Sequence, residues 1–332
     1  MQAVMLVGGL GTRLRPLTYR LPKPLVPVMG KPLMMYVVDS LPPEVDQLII
    51  PVSYKREVVD AFIESQKIPI DVKIVDEPEP LGTGGAVKNV EKLIDRGDTF
   101  LVLNGDVVAS LDLSEFIEFH KKKKSFASIS LWEAEDPTPF GVAQIDGSGK
   151  ILRFQEKPTK EEAFSKLINA GAYALEPEVL DHIDKGFVSM ERTVFPRILD
   201  RGMYGFTFKG FWTDCGTREG VIDAHVALMR ENGSYIAESA YTYDTNLLAP
   251  FCIEPDCRII SAKIGPGAYI GKNVAILDDS EIINSVVLPG ARIGRYCRLE
   301  NCIIDEDFQV PQGTSIKDNI FALENKREPE DS

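Results

Sequence analysis

The stretch IEPDCRIISAKIGPGAYIGKNVAI, residues 253–276, carries an isoleucine at every sixth or fifth position. The series extends to residue 316, and its twelve members are Ile253, Ile259, Ile264, Ile270, Ile276, Ile282, Leu288, Ile293, Leu299, Ile304, Val310 and Ile316. Such six-residue repeats are typical of a parallel β-helix, in which each aliphatic side chain points inward and stacks on its counterpart in the next coil. We therefore expect residues 251–318 to form a β-helix domain.

The chain before this series alternates between apolar runs and amphipathic segments. We predict strands over residues 3–7, 47–52, 72–75 and 100–108, and helices over residues 32–41, 55–65, 113–124 and 221–231. Ser114 is the expected cap of the third helix. This alternation favours an α/β domain with a Rossmann-like, mostly parallel sheet, which binds ligands beyond the carboxyl ends of its strands. We assign residues 1–231 to this domain, 232–250 to a connector and 319–332 to a C-terminal tail.

Composition and charge exclude several classes of partner. The 332-residue chain has a net charge of -13, which disfavours nucleic acid and anionic membranes because both are bound through positive fields. No apolar run approaches the roughly 18 residues that cross a bilayer, so we expect a cytoplasmic protein. The five cysteines lack the spacing of zinc sites and are expected to be buried free thiols. His120, His182 and His225 lie outside the motifs described below, which argues against histidine-based catalysis.

The first apolar run leads into GGLGTRLRP, residues 8–16, followed by LPKPLVPV, residues 21–28. The glycines would let this loop bring its amides close to a ligand, while Arg13 and Lys23 add positive charge. The loop fits neither the P-loop nor the dinucleotide-binding fingerprint, because it lacks Gly-Lys-Ser/Thr and the third glycine. On its own it leaves two interpretations open, a simple turn or a cradle for a polyphosphate.

Carboxylates follow two later apolar stretches. Asp106 ends the buried-strand pattern LNGD, residues 103–106, and Asp214 follows an aromatic pair in FWTDCGT, residues 211–217. Carboxylates at such positions are good ligands for magnesium, which usually shares its shell with water and substrate phosphates. The alternative for Asp106 is a turn-forming residue.

Two further motifs could contact a substrate. In PLGTGGA, residues 80–86, the glycines precede a helical pattern and could offer amides to a base or phosphate, or serve only as a flexible approach to the helix. In FQEKP, residues 154–158, Glu156 could accept hydrogen bonds from sugar hydroxyls and Lys157 could hold a phosphate. A surface ion pair is the alternative for these two side chains.

Eight motifs, taken in chain order, resemble the nucleotidyltransferase family that makes nucleotide-diphosphate sugars. They are GGLGTRLRPLT, LPKPL, PLGTGGA, LNGD, FGV, FQEKP, NAGAY and FWTDCGT. Members of this family often carry a left-handed β-helix, and the resemblance covers nearly the whole chain. PLGTGGA and FWTDCGT are most similar to the branch that joins GTP to mannose 1-phosphate. Thymidylyl- and uridylyltransferases for glucose 1-phosphate share most of the other motifs. The resemblance implies Mg²⁺-dependent nucleotidyl transfer to a sugar 1-phosphate, with release of pyrophosphate.

The resemblance also implies roles for individual residues. The catalytic residues would be Arg13, Lys23 and Asp106, and the metal ligands would be Asp106 and Asp214. Nucleotide contacts would come from Leu6, Gly8, Gly9, Gly11, Thr12, Arg13, Lys23, Gly82, Thr83, Gly84, Gly85, Asn104 and Gly105. Sugar-phosphate contacts would come from Gly141, Glu156, Lys157, Asn169 and Gly171.

Two other functions compete with this interpretation. A non-catalytic subunit that senses sugar nucleotides would be expected to lack a cation or a metal-binding carboxylate, whereas Arg13, Lys23, Asp106, Lys157 and Asp214 are all present. An acyltransferase β-helix would use a histidine base, and no histidine follows His225. We expect the β-helix to mediate homo-oligomer formation, with a nucleoside triphosphate and a sugar 1-phosphate as the small-molecule partners.

Overall fold

The computed structural model describes residues 1–322, and within them the chain divides into two compact units. The first unit comprises Met1–Leu10 and Leu33–Trp212, and the second comprises Gly11–Pro32 and the chain from Thr213 onward. The glycine-rich loop is therefore divided between the units.

The secondary structure of the described residues begins with a strand and alternates thereafter. The α-helices are α1 (Leu33–Ser40), α2 (Arg56–Ser65), α3 (Gly82–Asn89), α4 (Leu113–Lys123), α5 (Phe195–Ile198) and α6 (Arg218–Asn232). The strands before α6 are β1 (Gln2–Leu6), β2 (Pro27–Val28), β3 (Lys31–Pro32), β4 (Gln47–Val52), β5 (Asp71–Asp76), β6 (Phe100–Asn104), β7 (Val107–Ala109), β8 (Ala127–Glu133), β9 (Gly141–Ile145), β10 (Ile151–Glu156), β11 (Leu167–Leu175), β12 (Met203–Thr207) and β13 (Trp212–Asp214). Shorter 3₁₀ segments occupy Thr12–Leu14, Leu17–Tyr19, Lys23–Leu25, Glu91–Leu93, Pro177–His182 and Leu199–Arg201, and a π-helical segment occupies Met190–Val194.

A nine-stranded mixed sheet forms the centre of the first unit. β1 pairs in parallel with β4 and β6, and β4 pairs in parallel with β5. β11 pairs antiparallel with β6, β8 and β9, β10 pairs antiparallel with β9, and β12 is parallel to β8. The predicted α/β fold is confirmed, with parallel order concentrated in the half of the sheet that contains β1.

Burial on both faces explains the apolar runs of the central strands. Val4 in β1 and Val102 in β6 are fully buried, as parallel strands covered by helices require. The same core cluster reaches Tyr173 on β11 and Phe195 on α5, whose rings meet edge to face at 5.0 Å between centroids. This core holds the last residues of β1 and β6, Leu6 and Asn104, side by side.

Helix α4 is capped by Asp112, so the prediction of Ser114 as its cap is wrong. The Asp112 side chain accepts a hydrogen bond from Glu115 N at 3.0 Å, whereas Ser114 already lies inside the helix. The helix ends among lysines, which face the partial negative charge of its C-terminus, as the sequence indicated.

The second unit contains α6 and a left-handed β-helix. The strands that follow α6 are β14 (Tyr235–Ile236), β15 (Tyr241–Tyr243), β16 (Asn246–Leu247), β17 (Phe251–Ile253), β18 (Arg258–Ile260), β19 (Lys263–Ile264), β20 (Ala268–Ile270), β21 (Ala275–Ile276), β22 (Glu281–Ile283), β23 (Val286–Val287), β24 (Arg292–Ile293), β25 (Arg298–Glu300), β26 (Ile303–Ile304), β27 (Gln309–Val310), β28 (Ser315–Lys317) and β29 (Ile320–Phe321). They form three parallel sheets of six, five and five strands within the described residues.

From Ile253 to Ile316, each coil of the β-helix places one aliphatic residue in each sheet, and all but one of these residues stand at the predicted positions. Ile253 pairs with Ile270, and Ile270 pairs with Val287 in the next coil. Val287 therefore occupies the position that the sequence series assigned to Leu288, although both side chains are buried. The other predicted members from Ile253 to Val310 are buried, and Ile316 is half-buried.

The β-helix begins earlier and ends later than the sequence predicted. β14, β15 and β16 pair in parallel with β17, β18 and β19, so the predicted connector 232–250 contains the first coil. At the other end, β29 pairs with β26, so the predicted tail starts as part of the last coil. The rest of that tail, residues 323–332, lies outside the described residues.

The cysteines and the helices bear on two further expectations. Cys215, Cys252, Cys257, Cys297 and Cys302 are buried free thiols, as predicted, and burial raises the pKa of Cys252 to about 12. Within residues 1–322, every helix is too short or too polar to cross a bilayer.

Candidate active site

A cavity of about 300 Å³ opens where β1 and β6 end. Its lining consists of Leu6, Gly8, Gly9, Glu77, Pro80, Gly82, Thr83, Ala86, Asn104, Asp106 and Phe187. Seven of these were predicted from the sequence, namely Leu6, Gly8, Gly9, Gly82, Thr83, Asn104 and Asp106. The location agrees with the rule that parallel sheets bind ligands beyond the carboxyl ends of their strands.

Gly8 and Gly9 lie at the mouth of β1 and differ in what surrounds them. A Cβ atom at Gly8 would lie 3.2 Å from Glu77 Oε2, and Gly8 O accepts a hydrogen bond from Ser53 Oγ at 3.1 Å. A Cβ atom at Gly9 would meet nothing within 4 Å. Packing within the protein therefore does not explain a glycine at position 9, whereas close approach of a ligand would.

The glycines that begin α3 serve mainly to pack this helix against the chain around Val188. Gly84 N and Gly85 N both donate to Val188 O, at 2.8 and 3.1 Å, and a Cβ atom at Gly85 would collide with Gly186 O. These two amides are engaged within the protein, so they support the cavity from behind. The residues of the motif that line the cavity are Pro80, Gly82, Thr83 and Ala86.

The turn after β6 joins the cavity to the predicted sugar side. Gly105 N donates to Leu6 O at 2.9 Å, and a Cβ atom at Gly105 would lie 2.7 Å from Val7 Cγ1. Gly171 has a φ of +82°, and a Cβ atom there would lie 2.6 Å from Asn104 Nδ2. Close packing therefore requires glycine at both positions, against the end of β1 at Gly105 and against Asn104 at Gly171.

Glu77 is a cavity residue that the sequence motifs did not identify. Its side chain follows β5, is 4% exposed and accepts a hydrogen bond from Leu81 N through Oε1 at 2.7 Å. Within the described residues Oε2 is buried and receives no hydrogen bond. Burial raises the pKa of this carboxyl, against the lowering effect of the Leu81 amide. The available clue in the sequence was its place directly after a parallel strand.

The predicted sugar-phosphate residues Gly141, Glu156 and Lys157 come together on the β9–β10 pair. Gly141 pairs with Glu156, and a Cβ atom at Gly141 would lie 2.7 Å from Glu156 Oε2, so a larger residue there would displace that carboxylate. Lys157 is exposed, and its N donates to Phe140 O at 3.0 Å. The pKa of Glu156 is raised by burial and by the nearby charge of Glu191, against the effects of Lys157 and Arg192.

Glu191 connects the predicted sugar-phosphate residues to the cavity, and no sequence motif pointed to it. Its Oε2 accepts hydrogen bonds from Thr83 Oγ1 and Ser189 Oγ, each at 2.7 Å. Its Oε1 accepts from the hydroxyl of Tyr173 at 2.9 Å, and this hydroxyl accepts from Asn169 Nδ2 at 2.9 Å. Burial and Glu191 raise the pKa of Tyr173 well above its usual range, so the hydroxyl remains a donor.

Arg13, Lys23 and Asp214 converge in the second unit. A Cβ atom placed on Gly216 would lie 2.8 Å from Arg13 Nη2, 2.8 Å from Asp214 Oδ1 and 3.0 Å from Lys23 Nζ. Gly216 N donates to Asp214 Oδ1 at 2.7 Å. The structure thus brings together two predicted cations and one predicted metal-binding carboxylate around a glycine of the FWTDCGT motif.

The remaining loop positions, Gly11 and Thr12, shape the approach to these cations. Gly11 has a φ of +63°, and a Cβ atom there would lie 2.8 Å from Thr18 Cγ2. Gly11 O accepts from Thr18 Oγ1 at 2.8 Å, and Thr12 begins the 3₁₀ turn that carries Arg13. The glycine-rich sequence is thus required by a tight turn, as well as being available to a ligand.

Metal binding would have to rely on few protein ligands. Within residues 1–322, His, Cys, Asp and Glu side chains do not gather in groups of three or more that could hold a metal. Asp106 and Asp214 are hard oxygen donors, the type that magnesium prefers, and magnesium usually completes its shell with water and substrate phosphates. Each of these carboxylates, Asp106 in the first unit and Asp214 in the second, is by itself a donor of the type that fits magnesium.

Two family profiles match the chain. Residues 2–231 match the family described as nucleotidyl transferase, and residues 247–322 match a GlmU-like, C-terminal hexapeptide family. Together they cover the mixed sheet, the loop of the second unit and most of the β-helix.

Several curated proteins are similar to nearly the whole chain. Mannose-1-phosphate guanylyltransferase 1 of Arabidopsis thaliana is 33% identical over 330 residues, which cover 96% of this chain and 89% of the plant protein. Mannose-1-phosphate guanyltransferase of Yarrowia lipolytica is 34% identical, covering 97% and 94% of the two chains. The Mycobacterium tuberculosis mannose-1-phosphate guanylyltransferase is 32% identical, covering 90% and 82%.

Two solved structures resemble about two thirds of the chain. A putative glucose-1-phosphate thymidylyltransferase from Bacillus anthracis, crystallised with a sucrose, has a TM-score of 0.62 and 26% identity. HddC from Yersinia pseudotuberculosis has a TM-score of 0.57 and 33% identity. Each match covers 68% of this chain, and the matches cover 94% and 97% of the two solved chains.

Proposed function

The chain belongs to the nucleotidyl transferase family, and from this premise we propose that it transfers the guanylyl group of GTP to mannose 1-phosphate. A phosphate oxygen of the sugar 1-phosphate would form a bond to the α-phosphorus of GTP. The bond from that phosphorus to the bridging oxygen would break, pyrophosphate would leave, and GDP-mannose would form. The observation that carries the proposal is the cavity beyond β1 and β6, whose lining includes the carboxylates of Glu77 and Asp106.

Glu77 would select the guanine base. A carboxylate only accepts hydrogen bonds, and guanine offers two neighbouring donors, N1–H and the N2 amino group, on one edge. Uracil and thymine offer one N–H donor between two carbonyl oxygens, which a carboxylate repels. Because Glu77 Oε2 is buried and receives no hydrogen bond from residues 1–322, a guanine would supply the missing donor.

The triphosphate would be held by amides and cations. Gly8 and Gly9 would let the phosphates approach the backbone, and Arg13 and Lys23 would neutralise the charge that develops as pyrophosphate leaves. Little covalent chemistry falls to the protein in this type of reaction, so positioning and charge neutralisation would account for most of the acceleration.

Sugar recognition would fall to the residues beside Glu191. Glu156 would accept hydrogen bonds from sugar hydroxyls, and Asn169 would be held for the same task by Tyr173. Lys157 would bind the phosphate of the sugar 1-phosphate. The backbone at Gly141 and Gly171 leaves space for these contacts because neither residue carries a Cβ atom.

Nucleotidyltransferases of this kind generally use a divalent metal, and we propose that the ion is Mg²⁺ held by Asp106 and Asp214. When bound, it would neutralise phosphate charge and orient the two substrates. Arg13 and Lys23 would supply the rest of the positive charge from the protein itself.

We further propose that the protein is a cytoplasmic homo-oligomer assembled through its β-helix. Five buried free thiols fit a reducing compartment. Exposed aromatic side chains on the β-helix, Tyr241, Tyr243 and Tyr296, would be covered in an oligomer. A mass measurement in solution tests the assembly, and a monomer at all concentrations would contradict it.

The experiment that tests the function compares catalytic efficiency for pyrophosphate release across GTP, dTTP, UTP and ATP, each with mannose, glucose and N-acetylglucosamine 1-phosphates. We expect GTP with mannose 1-phosphate to be the preferred pair, with release dependent on both substrates and on Mg²⁺. A preference of about tenfold or more for dTTP with glucose 1-phosphate would replace the proposed substrates, because an enzyme discriminates between substrates by the ratio of their catalytic efficiencies.

A further inference from the structure

The loop that carries Arg13 and Lys23 packs on the β-helix. We call Gly11–Pro32 the cation loop; it groups with the β-helix and α6 in the second unit, although it follows β1 in the chain. The family profile that matches residues 2–231 includes the loop in the transferase part of the sequence. Its surroundings in the second unit therefore require a physical explanation.

Arg20 anchors the middle of the cation loop to a β-helix coil. Its Nη2 donates to Asp305 Oδ1 at 2.9 Å, and its Nη1 and Nη2 each lie 3.1 Å from Glu306 Oε2. The Asp305 side chain is only 2% exposed, whereas that of Arg20 is 41% exposed. A guanidinium on the loop thus forms a fork to two neighbouring carboxylates at the end of β26, which fixes orientation as well as distance.

A second contact anchors the end of the cation loop. Met29 N donates to His225 Nε2 at 3.0 Å, and His225 in turn donates from Nδ1 to Val221 O at 2.8 Å. Tyr269 on β20 is buried, and its ring centroid lies 4.8 Å from that of His225. A Cβ atom placed on Gly30 would lie 3.3 Å from the Tyr269 hydroxyl. The loop is therefore attached to α6 and the β-helix on both sides of Lys23.

We propose that Arg20 and Asp305 are positioning residues, whose ion pair uses the β-helix to hold Arg13 and Lys23 in place for the triphosphate. Replacing a buried ion pair by neutral groups is often neutral for stability, so stability alone is a weak explanation for burying Asp305. Placement is a better one, because Arg20 lies three residues before Lys23 and a shift of about 1 Å in a catalytic group costs up to about a hundredfold in rate. The β-helix is thereby part of the catalytic apparatus.

This inference rests on the transferase activity proposed above, and its test separates the two. The variants are Arg20→Met, Asp305→Asn and the double variant, and the matched control is Asp278→Asn. Asp278 Oδ2 lies 3.0 Å from Arg295 Nε in an ion pair between two coils of the β-helix. Each variant is characterised by steady-state kinetics with GTP and mannose 1-phosphate, by its melting temperature, and by hydrogen exchange of peptides that cover residues 11–32.

We expect each single variant and the double variant to lose about tenfold in kcat, with a raised KM for GTP and an unchanged KM for mannose 1-phosphate. Arg20→Met leaves a buried carboxylate without its cation and should lower the melting temperature, which the double variant should regain because the substituted amide carries no charge. Exchange in residues 11–32 should increase in all three, and Asp278→Asn should leave kcat and exchange in the loop unchanged.

The double variant could regain kcat as well as the melting temperature. In that case the Arg20–Asp305 pair would contribute only to stability, and the inference would be wrong. Unchanged exchange in residues 11–32 in the two single variants would overturn it as well. If the unmodified protein releases no pyrophosphate from any substrate pair, the proposed function fails, whereas the exchange measurement still decides whether Arg20 and Asp305 hold the loop.

Discussion

At the scale of single residues, the proposed contact of Glu77 with the nucleobase leads to a prediction about nucleotide preference. The change Glu77→Gln keeps the size of the side chain but replaces one acceptor oxygen by an amide donor. We expect catalytic efficiency with GTP to fall about tenfold to a hundredfold, because a hydrogen bond to a charged group contributes about 1.5–3 kcal/mol. The preference for GTP over UTP should narrow, since a donor at this position no longer repels a pyrimidine carbonyl.

The control for this variant is Glu79→Gln, the same change two residues along the chain. Glu79 is exposed and is not part of the cavity lining, so its replacement should leave nucleotide preference unaltered. Equal nucleotide preferences in the two variants would show that Glu77 does not face the base.

The carboxylates Asp106 and Asp214 are the proposed ligands of Mg²⁺. Asp106→Asn and Asp214→Asn should each lower kcat by at least about a hundredfold, because a neutral amide is a poor magnesium ligand and metal binding contributes several kcal/mol to phosphoryl chemistry. The Mg²⁺ concentration that gives half-maximal rate should also rise. Unchanged turnover at limiting Mg²⁺ would remove these residues from the metal site.

The sequence motifs predicted the location of residues around the cavity better than the role of each residue. Glycines of two predicted motifs, such as Gly9 and Gly82, line the cavity, whereas at Gly85 and Gly171 neighbouring atoms leave no room for a Cβ. A glycine can be required either by contact with a ligand or by close packing, and the sequence alone does not distinguish these two causes. Glu191 could not be found at all, because its partners Thr83 and Tyr173 lie 108 and 18 residues away along the chain.

At the scale of elements, two variants at the start of α4 test whether Asp112 or Ser114 caps the helix. Asp112→Ala removes the acceptor of Glu115 N and should lower the free energy of unfolding by about 1 kcal/mol. Ser114→Ala should change it far less, since Ser114 lies within the helix. Chemical denaturation of both variants measures the difference, and a larger effect of Ser114→Ala would restore it as the cap.

Helix α6 should make the protein sensitive to acid through His225. Its ring is fully buried, and burial lowers its pKa to about 4 in the folded state. In the unfolded chain the pKa of this histidine is about 6.5. Between that pH and about pH 4, the imidazole is protonated in the unfolded chain but neutral in the folded protein. The free energy of unfolding should therefore fall between about pH 6.5 and pH 4, by at most about 3 kcal/mol for this group.

The variant His225→Gln isolates this contribution because glutamine does not titrate. Unfolding free energies of both proteins, measured across the same pH range, should diverge most at pH 7 and converge toward pH 4. Parallel curves would mean that His225 does not contribute to the acid sensitivity, and that other carboxyl and histidine groups account for it.

Periodicity predicted strands and helices well where local pattern decides them. β4 and α2 lie within about one residue of the expected bounds, because each carries its own apolar pattern. The antiparallel direction of β11 was not predicted, since strand direction depends on which distant strand it joins and not on its own residues.

At the scale of the whole molecule, the hexad series predicted the β-helix but located its ends imprecisely. Most paired residues in successive coils lie 17 positions apart, as for Ile253 and Ile270, whereas Ile264 and Ile282 lie 18 positions apart. The first coil was missed because Thr242 and an exposed Ile236 occupy positions that later coils fill with buried aliphatic residues. Terminal repeats often depart from the pattern of the inner ones.

The placement of the cation loop shows why long-range organisation is not predicted by local motifs. Arg20 and Asp305 are separated by 285 residues, and neither belongs to a recognised motif. The division of the loop between units became visible only once the fold had brought distant parts of the chain together. Function in this protein therefore depends on contacts that connect the transferase motifs with the β-helix.

The most direct measurement follows the phosphorus atoms of GTP. Reactions with mannose 1-phosphate, Mg²⁺ and GTP labelled at either the α- or the γ-phosphate are resolved by chromatography. We expect the α-label in GDP-mannose and the γ-label in pyrophosphate, in equal amounts. Label retained in GTP, or an α-label in GMP or GDP without any sugar nucleotide, would contradict the proposal that this protein is a guanylyltransferase.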